Sequence, residues 1–61
     1  MNKERLKEII KARIIATDEE YNRQYSLYEK DKKYAKPDYK WYDTRIKALN
    51  ETLQLVGMLE E

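Results

Sequence analysis

Tyr34-Ala35-Lys36-Pro37-Asp38 is the stretch on which the fold turns: it holds the only proline of the 61 residues, and residues 2–33 before it contain neither glycine nor proline. Proline has no backbone N–H to donate and disfavours helical geometry at the residue before it, here Lys36. A helix arriving from the N-terminal side is therefore expected to end near Tyr34. Lys30, Lys32 and Lys33 would occupy its last turn, where cations favour the helix dipole. Pro37 suits the first turn of a following helix, and Asp38 adds a favourable anion there. A connection of about three or four residues sets the two helices side by side and antiparallel.

Upstream, Leu6, Ile9, Ile10, Ile14, Thr17, Tyr21, Tyr25, Leu27 and Tyr28 fall within one broad arc at about 100° per residue. Acidic and polar residues fall opposite, so residues 2–33 read as one amphipathic helix. Ile15 is the misfit, projecting into the polar arc. Thr17-Asp18-Glu19-Glu20 also matches a capping box, a signal for a helix restart or kink near Thr17. The apolar spacing runs in phase across it, which favours a continuous helix.

Downstream, Tyr39, Tyr42, Ile46, Leu49, Leu53 and Val56 repeat at alternating spacings of three and four, a heptad seam over residues 38–59. Beside it runs a second seam, Trp41, Ala48, Thr52, Leu55 and Leu59. Together they span roughly 200° of the helix, more than one neighbour covers. Gly57 either admits a close approach or begins the end of the helix.

The fold class is thus all-α: a single antiparallel helical hairpin, with helices over about 2–33 and 38–59 and a turn over 34–37. At 1.5 Å per residue the first helix is about 46 Å long and the second about 33 Å. Pairing back from the turn places Leu59 opposite residue 12 or so, leaving Leu6, Ile9 and Ile10 projecting beyond the hairpin. Apolar side chains left wet forfeit ~1.5–3 kcal/mol each. Self-association through Leu6, Ile9, Ile10, Ile14, Leu55 and Leu59 is therefore expected, as a homodimer forming a four-helix bundle. Alternating basic and acidic blocks support the antiparallel register, with Asp31 near Lys40, Lys33 near Asp38, and Glu60 and Glu61 near Lys11.

Composition narrows the function. The chain is 41% charged and 41% hydrophobic with one glycine, a balance suited to long helices. There is no cysteine and no histidine, so neither a disulfide nor a structural zinc site is expected, and no cofactor is implied. The same absences remove the usual general base and strong nucleophile, and no glycine-rich loop exists to cradle phosphate. A non-enzymatic role follows. Asp18, Glu19 and Glu20 are consecutive on a helix and point in different directions, as a solvated helix start does. Neither a spanning segment nor a signal core is present, so a cytoplasmic location is expected. The Lys-, Ile-, Tyr- and Asn-rich usage fits a low-GC bacterial or phage coding sequence.

Two surfaces remain as candidates for recognition. At the tip, aromatic residues sit among lysines, and Tyr34, Lys36, Lys40, Trp41 and Lys33 are the candidate partner-binding set. Tyr21, Tyr25, Tyr28, Tyr39 and Tyr42 are expected on the inner faces, as core with wet hydroxyls. A protein partner is the leading expectation. Nucleic acid is the alternative, with lysines on phosphate and aromatics stacked on bases. A net charge of +1 gives that alternative little general support. The N-terminal arm also alternates Leu and Ile with Lys and Arg. Its apolar face lacks Trp and Phe and acids interrupt its polar face, which disfavours membrane binding.

Overall fold

A computed structural model describes residues 2–59. Two helices pack against each other, α1 over Lys3–Lys30 and α2 over Tyr39–Gly57, and no strand occurs among the described residues. The all-helical hairpin expected from the periodicity is the observed fold.

Asn2 opens α1, its side chain accepting from the Arg5 N–H at 2.8 Å. The helix then runs unbroken through Ala16 and Thr17. Thr17 does not cap a new helix. Its hydroxyl donates to the Arg13 carbonyl one turn back, at 2.7 Å, and the residue is buried. The local restart signal loses because burying Thr17 in phase with Ile10 requires the helix to continue.

The end of α1 corrects the sequence reading. The helix stops at Lys30, three residues earlier than expected, and Lys30 alone of the three lysines lies in its last turn. Asp31 stops it, with an extended backbone at φ −148° and ψ 111°. Its carboxylate accepts from the Lys33 N–H at 3.0 Å, and its carbonyl from the Tyr34 N–H at 3.1 Å, closing a turn. An aspartate that bonds nearby backbone amides in this way competes with helix continuation.

The start of α2 is also displaced. Asp38, not Pro37, forms the boundary: its carboxylate accepts from the N–H groups of Lys40 at 3.0 Å and Trp41 at 3.4 Å. Pro37 precedes the cap and is half-buried. The connection therefore covers residues 31–38, and its second half folds back beside α1, where Gln24 lines a hollow with Ala35, Pro37 and Trp41. Non-helical chain advances up to ~3.3 Å per residue, about twice the helical rise. A few such residues carry the start of α2 a long way back along α1.

This shift resets the register. The Tyr39 and Tyr42 rings lie 6.0 and 5.4 Å from that of Tyr21, while at the other end Lys3 Nζ donates to the Leu59 carbonyl at 2.9 Å. Leu59 is thus level with the first turn of α1, not with residue 12. Leu6, Ile9 and Ile10 do not project beyond the hairpin: Ile10 is buried, and Leu6, Ile9 and Ile14 are half-buried. The core is thin. Ile10 and Val56, each 6% exposed, are the buried apolar side chains among the described residues.

The expected cross-helix charge pairs do not set this register. Asp31 and Asp38 bond backbone amides instead, and the Glu60 and Glu61 pairings lie outside the described residues. Ion pairs among the described residues lie within single helices: Arg5–Glu8, Lys7–Glu4 and Lys47–Asp43. The Asp43 carboxylate hydrogen-bonds Lys47 at 3.0 Å and, with its charge, raises the pKa of that exposed amine.

Candidate interaction surface

Aromatic residues organise the end of the hairpin near the connection. Tyr21 is the hub, with its ring 6.0 Å from Tyr25 and edge-on to Tyr39 and Tyr42. Tyr28 extends the cluster from Tyr25, and Trp41 extends it from Tyr42 at 4.8 Å. Tyr21, Tyr25, Tyr28 and Tyr42 are half-buried, as a partly wet tyrosine core should be. Tyr39 departs from the expectation. It opens α2 at the level of Tyr21, meets that ring edge-on, and stays exposed.

The candidate tip residues are all on the surface. Lys33, Tyr34, Lys36 and Lys40 are exposed, and so is Trp41, at 53%. They do not converge into one pocket. Tyr34 follows the Asp31 turn, whereas Trp41 lies in the first turn of α2 with the Arg45 guanidinium 5.6 Å from its ring centroid. Lys32 caps the Tyr28 ring in the same manner at 4.2 Å.

The candidate self-association residues separate into two groups. Leu6, Ile9, Ile10 and Ile14 are largely taken up by the hairpin, while Leu55, at 63% exposure, and Leu59 remain open to water. The whole second seam of α2 is exposed: Trp41, Ala48, Thr52, Leu55 and Leu59. Its partner seam, Tyr42, Ile46, Leu49, Leu53 and Val56, is covered to different degrees by α1.

Chain direction and the 100° rule place these groups in space. α1 faces α2 through Ile10, Thr17 and Tyr21, and α2 faces α1 through Tyr42, Leu53 and Val56. Ile9, Ala12 and Ala16 then fall on the same broad side of the hairpin as Trp41, Ala48 and Leu55. The opposite side carries Lys7, Lys11, Asp18 and Asn22 beside Asp43, Lys47 and Gln54. The first side thus carries small and apolar residues interspersed with Arg5, Arg13 and Arg45, and the second is mainly polar, with the exposed Ile15 as its exception.

Open hollows mark the apolar side. One on α2 is lined by Trp41, Thr44, Arg45 and Ala48, and one on α1 by Arg5, Glu8, Ile9, Ala12, Arg13 and Ala16. The alanines create them, because a small side chain between larger neighbours leaves a depression. Sequence reading missed Ala12, Ala16, Thr44 and Arg45. The available signal was the four-residue spacing of alanine at positions 12 and 16, on the flank of the apolar arc.

No set of three acidic side chains converges among the described residues, and no buried side-chain nitrogen or oxygen there lacks a hydrogen-bond partner. Asp18 is exposed and receives the Asn22 amide at 3.5 Å. No helix among the described residues is long and apolar enough to cross a membrane. No protein-family model, curated protein or solved structure matches the chain. The functional reading therefore rests on the hairpin's own surfaces.

Proposed function

We propose that the chain is a small, non-enzymatic helical interaction module that self-associates and regulates or inhibits a protein partner. The observation that carries this reading is the exposed row on α2 that holds Trp41, Ala48 and Leu55, interrupted by Arg45 and Thr52, beside a core of so few buried residues. A soluble domain rarely leaves such a seam wet unless another surface meets it. The connection and the first turn of α2 supply the second surface, with Lys33, Tyr34, Lys36 and Lys40 exposed. Tyrosine is a common anchor for protein recognition, and lysines around it supply charge for an acidic partner surface. Affinity capture from source lysate, with the native chain beside a Tyr34→Ala, Lys36→Glu variant, tests the reading. A protein recovered with the first and lost with the second supports it, and recovery of the chain alone counts against a partner.

A second reading has its own observation. Lys32, Lys33, Lys36 and Lys40 are all exposed around Tyr34 and Trp41, the mixture that binds single-stranded nucleic acid through phosphate and base stacking. It predicts binding that weakens steeply with salt and is lost in the Lys33→Glu, Lys36→Glu, Lys40→Glu variant. No gel shift at low salt with DNA or RNA, single- or double-stranded, removes it.

A further inference from the structure

The open seam of α2 is shaped for an antiparallel copy of itself. The hollow on α2 is framed by Trp41, Thr44, Arg45 and Ala48, which stand at positions i, i+3, i+4 and i+7. That is the four-residue hole of knobs-into-holes helix packing. The Arg45 guanidinium leans over the Trp41 ring on one side of it, and Asp38 and Lys40 line its upper end. The matching knob lies on the same seam. When α2 is laid antiparallel on a copy of itself, with a two-fold axis between Ala48 and Thr52, Leu55 of each chain arrives at the level of Arg45 in the other. It then sits over that hole. The same axis sets Ala48 against Thr52, and Trp41 against the chain just beyond the end of α2, where Leu59 lies. Large groups meet at the ends and small ones at the centre, where the backbones approach.

Area favours the same conclusion. A folded monomer of 7.5 kDa exposes roughly 4,250 Å², whereas this hairpin exposes 5208 Å². The surplus, on the order of 950 Å², is close to the ~800 Å² that each partner contributes to a standard interface. The radius of gyration agrees, at 14.8 Å against roughly 10.5 Å for a compact domain of this length. With no disulfide available, completing the core with another chain is the remaining general route to stability for so small a domain.

We infer that two copies associate through antiparallel packing of their α2 helices, with each Leu55 seated in the Trp41/Thr44/Arg45/Ala48 hole of the other. The interface rests on the self-association proposed above and moves it from the Leu6–Ile14 end of α1 to the open seam of α2. The Ile9, Ala12 and Ala16 strip of α1 borders it on the same side.

Sedimentation equilibrium on the full chain, with circular dichroism, tests it. The native chain should be a dimer, and Leu55→Glu should raise its dissociation constant by at least about 100-fold, since two-fold symmetry removes two seated leucines. Ile15→Glu, an exposed apolar residue away from the seam, should leave the constant within about threefold. If Leu55→Glu unfolds the chain, a second experiment decides. Ala48→Cys chains mixed with Thr52→Cys chains should oxidise mainly to the mixed disulfide, because only that pairing brings the sulfurs level across the axis. A dimer insensitive to Leu55→Glu, or giving no mixed disulfide, overturns this interface while leaving self-association standing. A native chain that is a folded monomer at about 100 μM, far above the working range of stable dimers, overturns both.

Discussion

The two seams of α2 have the same period and opposite fates. Tyr42, Ile46, Leu49, Leu53 and Val56 meet α1, and Val56 is buried. Trp41, Ala48, Thr52, Leu55 and Leu59 stand one helical quarter-turn away and face water. Both recur at helical spacing, the outer one interrupted by Arg45 and Thr52, so periodicity reports which face needs covering and is silent on what covers it. The inner seam is completed within the chain and should respond to mutation as a core. The outer seam should respond as an interface.

The largest expected effect is on the inner seam. Ile10→Ala removes one of the few buried apolar side chains and should cost ~2–5 kcal/mol, enough to unfold most of the population of so small a domain. The melting temperature should fall by the same amount at every protein concentration. Leu55→Ala removes the same class of side chain from the outer seam, where it is mostly exposed within the hairpin. Its cost should be visible at high concentration, where the associated form dominates, and shrink on dilution. Thermal melts at two concentrations a hundredfold apart read the difference. Equal, concentration-independent losses in both variants would abolish the distinction between the seams.

A smaller effect is expected where the register is fixed. Asp38→Ala removes the cap of α2 and should cost about 1 kcal/mol, within the usual range for N-caps. Both seams lie on the helix it starts, so fraying its first turn frees Trp41 and loosens the Tyr42–Tyr21 edge contact together. Tryptophan fluorescence should shift to the red along with the loss of stability. An unshifted spectrum would mean that Trp41 is held by something other than the cap.

These regions also separate what the residues announced from what they did not. Pro37 marked the break between two helices, and the in-phase apolar arc outweighed the Thr17 capping signal, as the Thr17–Arg13 hydrogen bond shows. The register differs from the expected one because Asp31-Lys32-Lys33 leaves the helix. An aspartate can cap a helix start or close a turn, and the choice at Asp31 depends on whether its carboxylate finds the Lys33 amide. Moving the stop by three residues turned a tight turn into a long connection, and the extended chain returned α2 to the first turn of α1. The overhang of Leu6, Ile9 and Ile10 disappeared with it. Of the candidate self-association residues, Leu55 and Leu59 are the exposed ones, because they lie on the outer side of the chain, whose facing does not depend on register along the axis.

The smallest effect tests the facing of α2 most directly. Gly57 ends the helix, has no positive φ, and a Cβ added there would meet nothing within 4 Å. Neither a special backbone conformation nor a close approach within the hairpin requires glycine. Gly57→Ala should therefore stabilise the chain by about 0.5–1 kcal/mol, through reduced freedom in the unfolded state. The 100° rule puts Gly57 on the polar side of α2, away from Leu55 and Ala48. The gain should then persist when two copies are associated, and the dissociation constant should not change. A gain on dilution that turns into a loss at high concentration would mean that a second copy presses on Gly57. The open seam would then not be the surface through which the chain associates.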